Sequence, residues 1–436
     1  MQRRHLLFIA LTTVLAALPA SGQKAAKAPP TNLFIDVSTQ SMAGMPDMGG
    51  MMGGLGGFMA RRMGGADTSK PTYPTTRGTG GLGGQYLDIA LHNALKPGVE
   101  AQELIPGGLN MGKSLTLIPI EPSTPSKGDT PPGKIPDIEV KISEYWGCSA
   151  TIRPGQPKVA TFKVKGGDKA FDPRKGGGMQ GVDFQSTGSL SKGLFAPDRD
   201  IDLKPGYVYW PNRKHGKQVP NGARLAGEHQ VVGDGIPASM KFQVEQNADF
   251  MSKIALRSQG EATDAVGLSW PSVDRARAYF ITGMHMDVIS ENSYHMTIWS
   301  SADVAGAGSD LHAYLTGSYI DKWLKQKVLL PSSATNCTVP KGIFAGPAGS
   351  QGAMPGMLMM TAYGPESWIT YPPKPADPKQ PWNPEWSVRL RAKSSTMAML
   401  GMDFGNMQQM DDDGQQQQQP QKKPGMKGLL KGILGG

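Results

Sequence analysis

Only two cysteines, Cys148 and Cys337, occur among the 436 residues, so neither a disulfide-dense scaffold nor a four-cysteine zinc site can be built on this chain. Beyond the N-terminus there is no run of 18 apolar residues, which excludes a helical membrane span. Histidines number seven, and none forms a His-Glu-x-x-His pair, so no preorganised zinc site is expected. Aromatic residues are sparse, at 7%. Charge of one sign is nowhere concentrated. The 45 Lys and Arg exceed the 36 Asp and Glu, but the densest basic patches, Arg213-Lys214-His215 with Lys217, and Lys422-Lys423, are small. A nucleic-acid reader gathers its charge on one face with aromatics interleaved, so nucleic acid is not an expected partner.

What is present begins with an export signal. Arg3 and Arg4 precede an apolar run from Leu6 to Leu18, and Ala20-Ser21-Gly22 supplies the small residues a signal peptidase reads. This pattern predicts a cleaved signal over 1–22 and an exported chain. The pair of arginines lacks the Ser or Thr before it and the Lys after it that mark the twin-arginine route, and no Cys sits near the cleavage point to anchor a lipid. Gly at 57 and Pro at 36 give a turn-rich composition of the kind found in all-β modules with long loops. In an oxidising compartment the cysteine pair admits one disulfide, Cys148 to Cys337, stapling two domains; two buried thiols are the other reading.

The chain divides by texture. Residues 23–84 are dominated by Gly, Met, Pro, Ser and Thr, a composition expected to stay disordered, except that Asn32–Val37 reads as a strand that docks elsewhere. Over 85–258, runs rich in β-branched and aromatic residues recur between turn signals: Tyr86–Leu91, Leu115–Ile120, Ile138–Ile142, Val159–Val164, Tyr207–Trp210 and Met240–Val244. They predict an all-β domain. A second all-β domain is expected over 259–396, with strands at Tyr279–Met286, Tyr294–Ser300, Met357–Tyr363 and Trp386–Ala392, and a helix over Tyr319–Leu330 with Trp323 on its buried face. The tail, 397–436, is low in complexity and ends in Met426–Leu434, where apolar residues at helical spacing face lysines. A membrane-surface or docking helix is one reading of it and a frayed end the other.

Within the second domain, Gly267–Ile281 passes from a strand ending at Trp270, through a turn with Val273 and Ala276, to a strand opening at Tyr279. The stretch resembles the passage from strand B to strand C of a fibronectin type III domain. That resemblance implies a two-sheet sandwich in which Trp270 and Tyr279 pack together and small Ala276 lets the turn lie close. The helix at 319–330 departs from the family. A scaffold resemblance implies no function. The fold class expected is therefore all-β, with two β-sandwich-like domains, the second fibronectin type III-like, between a disordered Gly/Met-rich segment and a disordered tail.

Several motifs invite chemistry. Gly107 to Ser114 matches the P-loop pattern, but prolines at 119 and 121 forbid the helix that must follow it. Ser189-x-x-Lys192 lies among loop-forming residues, and no Ser-Asp-Asn or Lys-Thr-Gly accompanies it. Asn336-Cys337-Thr338 is formally a glycosylation acceptor, relevant only to a eukaryotic secretory route. Asp198, Asp200 and Asp202 with His215 or His229 are the residues a hydrolase site would assemble from a distance, or they form a calcium-binding or solvated loop. Methionine carries more. Met42, Met45, Met48 and Met51 recur at every third residue, and thioether is a soft ligand that stays unprotonated where thiols oxidise, so it suits Cu(I). The segment resembles the Met-rich motifs of bacterial envelope copper-handling proteins. Met284-His285-Met286 with His295-Met296 is a second such cluster.

The function expected is that of an exported, non-enzymatic envelope protein of a Gram-negative bacterium, periplasmic or at the outer surface. It binds an envelope protein or glycan, with membrane-surface contact through Met426–Leu434. Two alternatives stand beside it: Cu(I) binding by Met42, Met45, Met48 and Met51, and a hydrolase with a site assembled from distant residues.

Overall fold

The computed structural model describes residues 28–44, 71–78, 83–120, 137–165, 183–377 and 379–400. The expected signal at 1–22, Met45, Met48, Met51 and the tail beyond Leu400 lie outside them.

The fold is all-β, with eighteen strands among the described residues. The first half carries β1 (Thr31–Met42), β2 (Gly84–Asn93), β3 (Ala101–Leu104), β4 (Ser114–Pro119), β5 (Ile138–Trp146) and β6 (Lys158–Lys165). It continues with β7 (Asp183–Gly188), β8 (Tyr207–Trp210), β9 (Gly227–Gly233) and β10 (Lys241–Val244). The second half carries β11 (Arg257–Gln259), β12 (Val266–Ser269), β13 (Ala278–Ser290) and β14 (Ser293–Ser300). After helix α1 (Gly317–Lys325) come β15 (Leu330–Pro331), β16 (Asn336–Val339), β17 (Gly352–Tyr371) and β18 (Trp386–Met399).

Fifteen strands form one sheet, in the order β10-β9-β3-β4-β8-β2-β1-β18-β17-β13-β14-β5-β6-β7, with β15 paired to β13 off that path. The strand expected at Asn32–Val37 is present, reaches Met42, and is the most connected piece of the N-terminal region. Strand β1 runs parallel to β18 and antiparallel to β2. The sheet also crosses the boundary expected at 258. Strands β5, β6 and β7 add to β14, on the far side of β13, while the other strands of 85–258 assemble outward from β1. The boundary itself falls inside β11. The reason is edge pairing: each group of strands leaves an open edge, and β1, β18 and β14 supply the backbone partners those edges need.

A smaller sheet, β11-β12-β16, packs over one face of the large one. Between them lies the main core, built from Leu33, Ile35 and Val37 of β1, Val388 and Leu390 of β18, and Tyr279 and Ile281 of β13. Alternation decides the side: odd residues of β1 and even residues of β18 face this core. Trp270, at the end of β12, meets Tyr279 edge to face at 5.7 Å, and the Tyr279 hydroxyl accepts the Val273 N–H at 2.9 Å. Cys337 of β16 and Cys148, just after β5, are joined in a disulfide that ties the small sheet to the large one.

The opposite face of the large sheet is covered in part. Helix α1 is shorter than expected, and its Ile320 and Trp323 pack on Ala278, Phe280 and Tyr363. The residues expected to continue it, Val328 and Leu329, are buried in the same cluster as a turn whose N–H groups bond back to the Trp323 carbonyl. No helix among the described residues is long and apolar enough to cross a membrane.

Candidate functional site

The covered face carries three patches: an apolar one under α1 on β13 and β17, a charged band beside it on β18 and β1, and, further along the strands, a field of methionine.

The charged band comes from alternation in β1 and β18. While Val388, Leu390 and Ala392 face the main core, Arg389, Arg391 and Lys393 point the other way, beside Phe34, Asp36 and Ser38 of β1. Arg391 grips Asp36 with two bonds, Nε to Oδ1 at 2.7 Å and Nη2 to Oδ2 at 2.5 Å, and donates to Asp200 at 2.7 Å. Asp200 also pairs with Arg77 at 3.3 Å, and Arg77 with Asp202 at 2.7 Å. Burial alone would raise the Asp36 carboxyl, but Arg391, Arg389 and Arg77 override it and hold it below the usual range. The Arg391 guanidinium stacks on Tyr314, 4.3 Å from the ring centre, and Tyr314 donates to the Val37 carbonyl at 2.8 Å. Lys393 donates to the His312 carbonyl at 3.0 Å, and burial brings its ammonium down to about 8.

Beside this band, Asp88 of β2 receives four hydrogen bonds, from the backbone N–H and the hydroxyl of Thr75 and of Thr76, at 2.7 to 2.9 Å. Burial still pushes it up to about 6, against those four donors. The cover of the charged band is therefore irregular chain: residues 71–78, 199–202 and 312–316. His312 stands at the band's edge between the hydroxyls of Thr282 and Thr361, at 2.9 and 2.8 Å. Burial, with Lys393 nearby, drops it to about 3, so it is neutral at physiological pH.

Of the acidic group Asp198, Asp200 and Asp202, the structure places Asp200 and Asp202 in these ion pairs. It does not bring His215 or His229 to them. His229 is buried against Glu103 at 2.8 Å, and the His215 carbonyl accepts from Trp210. Residues 107–109 form a single 3-10 turn, Asn110 is left-handed, and the chain runs straight into β4, so the P-loop match has no helix behind it. Ser189 to Lys192 is loop. A shallow groove lined by Pro71, Tyr86, Trp210 and Val219 has no enclosed room even for a water molecule, so it is not a ligand pocket.

The paired Met-His clusters are split by strand alternation. His285, Asp287 and His295 turn toward the main core, and Met284, Met286 and Met296 turn away from it. On the core side, Ser143 meets His295 Nε2 at 2.9 Å and His295 Nδ1 lies 3.8 Å from Asp287, which His285 contacts at 3.0 Å. This is the order of nucleophile, base and carboxylate. Ser143 is only 4% exposed, however, and Gly346 lies so close over Asp287 that a Cβ there would sit 2.3 Å from its oxygen. The group is an interior polar pack. Among the described residues, no three His, Cys, Asp or Glu side chains converge as metal ligands.

The methionines do converge. Met42 of β1 is paired with Met397 of β18, and Met397 with Met359 of β17. One pleat further, Met399 of β18 pairs with Met357 of β17, and Met357 with Met284 of β13. Met286 of β13 pairs with Met296 of β14. All eight side chains lie on the face opposite the main core, because their strand neighbours Leu358, Met360, Ala398 and Leu400 face it. Seven of the eight are half-buried, and Met284 is 39% exposed. The described chain leaves off at Gly44 and Leu400, at this same end of the sheet. Of the sequence-predicted Cu(I) set, only Met42 falls within the described residues. Its neighbours here are Met397 and Met359, which the sequence reading passed over. The signal for them was methionine at period two in three strands: 284 and 286, 357 and 359, 397 and 399.

No protein-family model, curated protein or solved structure matches this chain.

Proposed function

We propose that this protein is an exported, non-enzymatic binding module of a Gram-negative cell envelope, and that its methionine-lined sheet face is the working surface. The observation that carries the reading is the eight thioether side chains, drawn from five adjacent strands, that share one half-exposed face. Unbranched, polarisable methionine adapts its shape to a partner and is favoured at binding surfaces that accept varied apolar segments. An apolar protein segment is a better match to it than a glycan, which selects aromatic platforms and hydrogen-bonding groups. Export is supported by the N-terminal apolar run and by the disulfide, which persists in an oxidising compartment. A non-enzymatic role is supported by how the interior charges are used: Asp36, Asp200, Arg77 and Arg391 bind one another and fasten loops to the sheet. The fibronectin type III likeness is part of the same proposal, supported by the Trp270 to Tyr279 contact across the two sheets.

A peptide-display selection against the purified protein tests the working surface. The reading expects enrichment of apolar peptides that Met357→Glu with Met399→Glu no longer binds, at unchanged thermal stability. Enrichment indifferent to those two substitutions, or none at all, removes it.

A further inference from the structure

We propose that the methionine face holds a soft monovalent metal ion, Cu(I) or its redox-inert analogue Ag(I), coordinated by the sulfurs of Met42, Met397 and Met359. The row of Met399, Met357 and Met284 forms a second such set one pleat away. The inference rests on the reading of this face as the working surface and names a ligand for it.

Residue choice is the first argument. A strand face that only needs apolar area is best filled by β-branched or aromatic residues, which suit the pleated surface, and the main core of this protein is filled that way by Ile35, Val37, Ile281 and Val388. On the other face of the same strands, three consecutive positions in each of two rows are methionine instead, before the rows continue as Thr282 and Ile298. What methionine adds over isoleucine or valine is sulfur. Register is the second argument. Met397 on β18 is the direct cross-strand neighbour of both Met42 on β1 and Met359 on β17, and with strands roughly 4.7–4.9 Å apart the outer two stand about twice that distance from each other. From that spacing three flexible side chains reach a common point.

Ligand chemistry is the third. Thioether is neutral and soft, so it selects Cu(I) over zinc, calcium or magnesium, which need thiolate, imidazole or carboxylate. His285, His295 and Asp287 of the neighbouring strands are turned to the opposite face, and His312, which stands beside the set, has both ring nitrogens engaged by Thr282 and Thr361. Half-exposure leaves the ion a path in. The charged band ends before the rows begin: Gln40, Ser395 and Thr361 lie between the methionines and Asp36, Lys393 and Tyr363.

The test is titration of the purified full chain with Ag(I) in chloride-free buffer, read by calorimetry and by the ¹³C ε-methyl signals of methionine. Met359→Leu with Met397→Leu preserves volume. Met360→Leu, on the core side of the same strand, is the control. The proposal expects a tight site whose affinity falls by more than about tenfold in the double variant, the low end of what losing even an outer-shell partner costs a metal site. The control should bind as the parent does, and the ε-methyl signals of Met42, Met359 and Met397 should shift together on binding. Ag(I) binding that is unchanged in the double variant would place the ion on other methionines and overturn the proposal, as would no tight binding. If Ag(I) fails to bind while the displayed apolar peptides still do, this inference falls and the binding-module reading stands. If both fail, the face is not a working surface.

Discussion

Asp36→Asn is the sharpest perturbation of the fold, because it removes one charge from a buried network and almost no volume. In the parent, the Asp36 and Arg391 side chains are 7% and 3% exposed and share two short bonds, with the Arg389 guanidinium 3.7 Å away. Neutralising Asp36 leaves Arg391 with Asp200 alone and Arg389 with only the weaker fields of Glu366 and Asp200. Stranding a buried charge in this way costs about 3–5 kcal/mol. Asp202→Asn is the matched control: Asp202 pairs with Arg77 but is 71% exposed, and such surface pairs are worth about 0–1 kcal/mol. Replacing the pair, Asp36→Leu with Arg391→Met, is expected to recover only part of the loss, since Arg389 still lacks Asp36 and Asp200 keeps only Arg77. Urea unfolding at pH 7, followed by tryptophan fluorescence and extrapolated linearly, reads all three. The sign with pH is fixed by the depressed Asp36 carboxyl: its contribution is complete above the unfolded value of 3.8 and is lost as pH falls through the lower folded value. The gap between parent and Asp36→Asn must therefore close in strong acid. An Asp36→Asn protein within about 1 kcal/mol of the parent at pH 7, where the network should cost it several times that, would refute the reasoning.

Four further outcomes follow from the structure. His312 falls from 6.5 to about 3 on folding, so stability is complete above pH 6.5 and is lost as pH drops toward 3. His312→Gln should make that limb shallower by up to about 1.4 kcal/mol per pH unit, read from unfolding free energies at pH 4 to 7. Asp88, raised to about 6, pulls the other way, its contribution falling as pH rises from 3.8 to 6, and Asp88→Asn should flatten that opposing slope in the same series. Alkylation of the native protein should find no free thiol. Reducing the bridge, which spans 189 residues, should cost about 5 kcal/mol in the chain-entropy model, seen as a lower urea midpoint with reductant. Tyr279→Phe should cost about 1–3 kcal/mol, because the buried Val273 N–H loses its acceptor; a change under about 0.5 kcal/mol in the same unfolding assay would contradict that bond's role.

Much of the strand inventory is legible in the sequence. Tyr86–Leu91, Ile138–Ile142, Tyr207–Trp210 and Tyr294–Ser300 all fall within observed strands, since β-branched and aromatic residues bounded by turn formers specify extended chain locally. What the local pattern does not carry is strand order. The parallel pairing of β1 with β18 joins Thr31 to Trp386, and nothing in either strand names the other. The charged band shows the consequence. Arg389, Arg391 and Lys393 alternate with apolar residues, which alone reads as a strand with one wet face. They are buried because irregular chain at 71–78, 199–202 and 312–316 folds over them and supplies carboxylates and carbonyls. The methionine face is the same lesson for the site. The period-two pairs at 284, 357 and 397 are visible in the sequence, but only the order β1-β18-β17-β13-β14 makes them neighbours.

The most direct measurement is timed peroxide oxidation of the native protein, with each methionine followed by peptide mass spectrometry. If the eight share one accessible face, Met284, Met357, Met359, Met397 and Met399 convert to sulfoxide together and well before Met240, Met251 and Met360, which are buried in the main core. Oxidation of Met360 at the same rate as its strand neighbours Met357 and Met359, or protection of all five to the level of the core methionines, would contradict the existence of that face.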